Sequence, residues 1–257
     1  MVMMENREYG QVAGSTSAPY VNGLARRYAL ATASFAISHP SLPNYVALIG
    51  GSTFGITSDC TGCHVGARNL VDQLEVAGIT WKAYMEGMPL PCYRGSSAGR
   101  YAKKHDPFAY CDDVASSAAR CSRIVPGTQL AGDIRSGALP RFVWLTPDLC
   151  HDGHDCSLAA ADHYLAQALP PLLDALGPGG LLFLTWDEGT SGAGCCRRAQ
   201  GGHVVTIVAG PGARAGARSS VPSDHYSILR TIEDRWGLSR LGEAGCACTP
   251  SLGDLVL

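Results

Sequence analysis

Charge is scarce in this sequence of 257 residues: Asp, Glu, Lys and Arg together make up 16% of it. The 20 basic residues stand against 22 acidic ones, a formal net charge of −2, so the basic footprint that holds a nucleic-acid polymer is missing. No run of about 18 apolar residues occurs, which argues against stable membrane insertion through a spanning helix. The opening Met1-Val2-Met3-Met4-Glu5-Asn6 shows no basic segment followed by an apolar stretch and a cleavage site, so a secretory leader is not visible in these residues. Internal repeats, low-complexity tracts and linkers are missing too, and a single domain over residues 1–257 is expected. Hydrophobic residues reach 46%, ample for a buried core and against disorder.

Cysteine, by contrast, is abundant: 11 in all, at 60, 63, 92, 111, 121, 150, 156, 195, 196, 246 and 248. Cys60-Thr61-Gly62-Cys63 and Cys195-Cys196 have the look of metal clips, but a second CxxC at regular separation is lacking. A disulfide framework is therefore preferred over structural zinc, which places the protein in a secreted or extracytoplasmic setting with its leader upstream of these residues. The odd count leaves at least one thiol unpaired or paired outside the chain. Spacing does not decide the pairing.

Tyr28–Ile37, Phe142–Thr146, Leu181–Trp186 and Val204–Ala209 read as strands, and Thr80–Tyr84 as a weaker one. The near-continuous apolar runs at 142, 181 and 204 are those of strands buried on both faces of a parallel sheet. Asn69–Ala77, Ser157–Ala175 and Ser223–Trp236 read as helices. Gly78 is the C-cap of the first, Pro170 and Pro171 bend or restart the second, and Ser223 caps the third. The alternation predicts an α/β fold with a mainly parallel central sheet sandwiched by helices.

In such sheets ligands gather beyond the carboxyl ends of the strands. Polar groups follow apolar runs at Glu5-Asn6, at Ser41, at Asp148–Asp155 and at Asp187-Glu188. Pro43 suits the first turn of a helix, which puts Ser41 at a helix N-terminus, where free N–H groups and the macrodipole favour negative charge. Taken alone, that is also the pattern of an ordinary N-cap serine. Glu5, Asn6, Asp187 and Glu188 are oxygen donors suited to a hard divalent cation, Mg²⁺, Mn²⁺ or Ca²⁺ ahead of zinc.

His39-Pro40-Ser41-Leu42-Pro43-Asn44-Tyr45, followed by Gly50-Gly51-Ser52-Thr53, resembles the nucleophile motif of the bacterial phosphoesterase family. That family, within the alkaline phosphatase superfamily, holds secreted acid phosphatases and phospholipase C-like enzymes. Met3-Met4-Glu5-Asn6 resembles its N-terminal metal-binding pair, and Lys104-His105-Asp106-Pro107-Phe108 its Lys-His-Asn-Pro-Phe segment. Asp148–Asp155 resembles its His/Asp loop, Trp186-Asp187-Glu188 its second metal-binding pair, and Gly202-His203 with Val208–Pro211 its closing block. The blocks follow in order over most of the chain and look nearest to small actinobacterial secreted acid phosphatases.

The resemblance implies an alkaline phosphatase-like fold and a metal-dependent acid phosphatase. Phosphate monoesters would be hydrolysed through a phosphoserine on Ser41, with Glu5, Asn6, Ser41, Asp187 and Glu188 holding the metal. Relatives commonly carry Asp-His where this chain has Asp187-Glu188, so one tightly held cation is expected, with a second at Asp152, His154 and His203 left open. His154 or His105 assists departure of the alcohol, as a histidine titrating near about pH 6.5 is able to do. Asn44, Lys104, Asp152, Asp155 and His203 are assigned to substrate binding. The expected partners are small phosphorylated substrates, such as phosphoinositide or nucleotide monoesters. Two alternatives stay open. One is a phospholipase C-like phosphodiesterase, disfavoured by the short chain. The other is a non-catalytic, disulfide-stabilised binding protein, motivated by a first strand with only four residues ahead of Glu5.

Overall fold

The structure, a computed structural model, describes residues 1–257. Its strands are β1 (Val2–Met4), β2 (Ala29–Phe35), β3 (Trp81–Met85), β4 (Ser97–Ala98), β5 (Tyr101–Ala102) and β6 (Ile124–Pro126). They continue as β7 (Phe142–Thr146), β8 (Leu182–Trp186), β9 (His203–Ala209), β10 (Arg218–Ser219) and β11 (Ser223–Asp224). All but the β4–β5 hairpin join one nine-stranded sheet of order β10-β2-β9-β8-β1-β7-β3-β6, with β11 also on β2. The short β1 lies between β7 and β8 in the middle of this sheet, as a three-residue strand buried on both faces.

Every pairing in the large sheet is parallel except the two made by β9, which runs antiparallel to β2 and to β8. The apolar run at 204–209 is buried as its pattern predicts, but it is not a parallel strand. The reason lies in the connection. A parallel return needs a crossover, usually a helix, whereas residues 187–202 contain none and bring the chain back into the sheet at the edge where β8 ended.

The helices are α1 (Tyr9–Val12), α2 (Pro19–Arg27), α3 (Ser41–Gly50), α4 (Leu70–Val76), α5 (Asp112–Ala115), α6 (Ala118–Cys121), α7 (Leu130–Ser136), α8 (Leu158–Asp174) and α9 (His225–Trp236). Side chains alternate across the strands: Val2 and Met4 enter one core with Leu24 of α2 and Leu165 and Leu169 of α8. Met3 enters the other, with Tyr45 and Leu48 of α3, Leu74 of α4 and Ile228 of α9.

Helix α3 starts at Ser41 itself with Pro40 at the N-cap, so Pro43 falls in the first turn as its third residue. Two other local expectations shift. Helix α8 runs through Pro170 and Pro171 to Asp174. Helix α9 is capped by Asp224, one residue after the serine, and Asp224 closes a capping box with Ser227.

Ten cysteines stand in five pairs at disulfide distance: 60–63, 92–121, 150–156, 195–196 and 246–248. The CxxC is thus a disulfide clip in this fold. The odd cysteine is Cys111, buried, with its thiol pushed above the usual range by that burial. A cavity of about 610 Å³ opens at the N-terminal ends of β1, β7 and β8 beside Met1, Phe142, Leu181 and Trp236, and none of the residues assigned to chemistry lines it. No helix is long and apolar enough to cross a membrane.

Candidate active site

Strand order brings distant residues to one edge. Glu5 leaves β1 and Asp187 leaves β8, adjacent strands whose ladder continues as Asp187 N–H donates to Met4 O at 2.8 Å. Glu5 N–H donates to Asp152 O at 2.9 Å, which ties the loop after β7 to the same place. Asn6 takes a left-handed φ of 54°, a conformation that asparagine tolerates. The turn aims its N–H at Asp187 Oδ1, 3.0 Å away. From β2 the chain passes through residues 36–40 into α3, which carries Ser41.

Asn44 spends its whole amide on that loop. Its Oδ1 accepts from Ile37 N–H at 2.8 Å and Ser38 N–H at 3.1 Å, while Nδ2 donates to Ser38 O and Pro40 O. With two acceptances and two donations it has no hydrogen-bonding capacity left for a phosphate. It holds the loop ahead of Ser41 instead.

The centre is almost sealed: Glu5, Asp152 and Asp187 are 0% exposed, Ser41 1% and His105 3%. Ser41 Oγ donates to Glu5 Oε2 at 3.1 Å, and Tyr45 OH donates to Glu5 Oε1 at 2.6 Å. Tyr45 follows Ser41 by four residues, so one turn of α3 puts both on the same carboxylate. The His105 ring stacks on Tyr45, with centroids 5.3 Å apart, its Nε2 3.3 Å from Glu5 Oε1 and its Nδ1 3.4 Å from Asp152 Oδ2.

Three buried carboxyls so close disfavour ionisation. Burial, then Asp187 and Asp152, holds Glu5 well above the usual carboxylate range. Burial and the Glu188 charge push Asp187 up to about 7, although the Asn6 N–H and the Ser41 hydroxyl pull the other way. Burial pushes Asp152 up to about 8, against the His154 N–H bond and with help from Asp187. His105 goes well below its ordinary value through burial and the nearby Lys104 and His154, so it is a neutral donor of a lone pair. Asp152 Oδ2, Asp187 Oδ2 and His105 Nε2 are buried without a hydrogen-bond partner. Ligand atoms of Glu5, His105 and Asp152 all lie within 4.8 Å of one another. Orphaned oxygens, a neutral imidazole and excess negative charge fit a divalent cation, with oxygen the dominant donor.

Around this centre sit the more open groups. His154 Nδ1 bonds Asp155 Oδ1 at 2.7 Å, and its Nε2 lies 3.4 Å from Lys104 Nζ. Lys104 also donates to Asp59 Oδ2 at 3.0 Å, and Asp59, against the opposing pull of burial, raises the lysine. Glu188 is turned to His39, whose Nδ1 meets Glu188 Oε2 at 2.6 Å while Nε2 contacts Ser191 O. Glu8 accepts from the Thr190, Ser191 and His203 amides and so fixes the 189–203 loop.

The predicted Glu5, Asn6, Ser41, His105, Asp152 and Asp187 therefore meet, with Lys104, His154, Asp155 and Glu188 on the rim. His203 does not join them: its ring lies against Tyr9 and Phe35, with Nε2 on Thr32 O. Antiparallel β9 starts there, and the imidazole fills a packing position between two aromatics. Sequence reasoning missed Tyr45, Asp59 and His225. Tyr45 stands inside the nucleophile motif and its four-residue spacing from Ser41 was legible. His225 is buried with Nε2 2.6 Å from the Asp187 carbonyl, and no pattern in the sequence connects the two.

The mostly parallel sheet with its flanking helices is a fold shared with solved members of the alkaline phosphatase superfamily. A Vibrio parahaemolyticus protein of that superfamily shares the fold at a TM-score of 0.64 and 12% identity, over 98% of this chain and 68% of the other. Murine ectonucleotide pyrophosphatase/phosphodiesterase 5, solved in an inactive form with AMP, shares it at 0.65 and 12%, over 100% and 99%. More specifically, the Phosphoesterase family profile matches residues 15–239, and this chain belongs to that family. It is 33% identical over 246 residues to the phosphatidylinositol-3-phosphatase of Mycobacterium tuberculosis, covering 95% of this chain and 78% of that one. To the phosphate-repressible acid phosphatase of Penicillium chrysogenum it is 30% identical, over 95% of this chain and 60% of the fungal one. Its class is phosphoric ester hydrolase.

Proposed function

We propose that this chain is a cation-dependent acid phosphatase that hydrolyses phosphate monoesters through a phosphoserine intermediate on Ser41. The observation that carries this reading is a buried serine hydroxyl at the start of α3, 3.1 Å from one of three clustered carboxylates. Similarity to acid phosphatases and to a phosphatidylinositol-3-phosphatase supports monoesters, phosphoinositide or nucleotide ones among them, as substrates. The five disulfide pairs support work outside the cytoplasm.

Glu5, Asp152, Asp187, His105 and Ser41 are the residues that would hold the cation, with Asn6 and Glu188 beside them. When bound, a divalent cation, Mg²⁺, Mn²⁺ or Ca²⁺ ahead of zinc, neutralises the carboxylates and favours the ionised serine. The remaining steps belong to the chain. Ser41 Oγ gives its proton to the carboxylate that accepts its hydrogen bond and attacks phosphorus in line, forming the phosphoserine as the P–O bond to the alcohol breaks. His154, steadied by Asp155, protonates the departing oxygen, and Lys104 faces the phosphoryl charge. His105, neutral and sealed, serves as a ligand and not as the acid. Water then cleaves the phosphoserine and releases inorganic phosphate.

The test is hydrolysis of p-nitrophenyl phosphate and of p-nitrophenylphosphorylcholine, with and without chelator, together with acid-quench mapping of a phosphopeptide containing Ser41. Monoester turnover that is lost in Ser41→Ala and on chelation is expected. Turnover of the choline diester alone, or turnover that survives Ser41→Ala, refutes the proposal.

A further inference from the structure

The N-terminus of α3 has few free donors. Ser41 and Leu42 are its first two residues, and Pro43 carries no N–H. Besides the amide of Ser41 itself, the Leu42 amide is thus the helix-end donor next to the nucleophile, and Lys104 is a cation within reach of the same place. Both are already engaged by one internal carboxylate. Asp59 Oδ1 accepts the Leu42 N–H at 3.0 Å, and Oδ2 accepts Lys104 Nζ at 3.0 Å. Glu188, raised by burial, feels the Asp59 charge as well, which sets this carboxylate beside the catalytic edge. A carboxylate bridging a helix-end amide and an ammonium makes the two contacts that a pair of phosphoryl oxygens would make.

We propose that Asp59 is a specificity-determining residue of the phosphate subsite: its carboxylate occupies the Leu42 amide and the Lys104 ammonium until a substrate phosphoryl group displaces it. This rests on the reading of Ser41 as nucleophile. Asp59 lies in the connection between α3 and α4, directly before the Cys60–Cys63 pair. The clipped backbone keeps the displaced carboxylate close to the bound phosphoryl group. Its repulsion falls harder on a dianion than on a monoanion. Asp59 therefore lowers affinity for doubly charged monoesters and product phosphate, and favours singly charged esters by comparison.

A plain helix cap is the competing account, since aspartate accepting a second-position N–H is a common device. The two differ in sign. Asp59→Asn keeps an acceptor for Leu42 and removes the charge. Asp59→Ser keeps a capping hydroxyl, so it serves as a second variant if the first folds poorly. Calorimetric Kd for inorganic phosphate is measured on cation-loaded wild type and variants, alongside kcat/KM for p-nitrophenyl phosphate and for bis(p-nitrophenyl) phosphate. Unit charges about 5 Å apart at an effective dielectric of about 20 to 40 change binding by at least about tenfold. Phosphate Kd is expected to fall by about that factor, and the monoester-to-diester ratio to rise with it. Unchanged or weaker phosphate binding in a folded variant overturns the proposal. If wild type turns over no monoester, the proposed function fails, while the phosphate Kd still decides the role of Asp59.

Discussion

With a divalent cation held as proposed, its removal from the Glu5–Asp152–Asp187 cluster should make stability pH-sensitive. The sign follows from linkage. A carboxyl raised on folding binds its proton more tightly in the folded state, so its stabilising effect is complete below the unfolded value and is lost as pH rises through the folded value. For Asp187 that window runs from 3.8 to about 7, and for Asp152 from 3.8 to about 8. At about 1.4 kcal/mol per pH unit, Asp187 alone loses about 4 kcal/mol across its window. The two carboxyls repel one another, so their losses do not add, and about 4 to 6 kcal/mol describes the cluster. For a domain of this size, that corresponds to a Tm lower by about 10 to 20 °C. The assay is thermal unfolding of chelated protein from pH 4 to 8, repeated with Mg²⁺, Mn²⁺, Ca²⁺ or Zn²⁺. Chelated Tm should fall steeply toward pH 8, and the effective cation should flatten the curve. A chelated protein whose Tm is level over that range, or one that no divalent cation stabilises at pH 8, refutes the picture of a charge-frustrated cluster.

Other perturbations separate the roles. Ser41→Ala should abolish turnover and weaken cation binding, measured by calorimetry, because the hydroxyl belongs to the same buried set. Tyr45→Phe leaves Glu5 Oε1 without its 2.6 Å donor and should cost about 1.5 to 3 kcal/mol by chemical denaturation. His203→Ala should lower Tm through lost stacking, about 0.5 to 1.5 kcal/mol for each aromatic partner, with phosphate Kd unchanged. A weakened phosphate Kd there would restore His203 to the site. Replacing Cys92 and Cys121 by serine opens a link of sequence separation 29 and should cost about 3 to 4 kcal/mol by denaturant titration.

Much of the site was legible because strand ends are local features. The apolar runs that became β1, β7 and β8 mark where backbone hydrogen bonding ends, and the polar residues just beyond them are the ones gathered at the candidate site. The nucleophile motif likewise carried its own helix, with Pro40 and Gly51 closing α3 at either end. Function was legible from motif resemblance more than from physics, since Ser41 alone reads as an ordinary helix-start serine.

Tertiary structure decided which of these groups face one another. Glu5 and Asp187 are 182 residues apart in the chain and became neighbours because β1 lies beside β8, an arrangement set by sheet order and invisible to local pattern. The same order reversed β9, which sent His203 into an aromatic stack, and let Asn44 turn inward to its loop. It also brought Asp59 to the Leu42 amide and His225 to the Asp187 carbonyl, across gaps that no periodicity spans. Residue types and their spacing select which segments form strands and helices, because those preferences are backbone-local. Which oxygen meets which proton depends on how two cores close around one sheet, and only the folded chain specifies that.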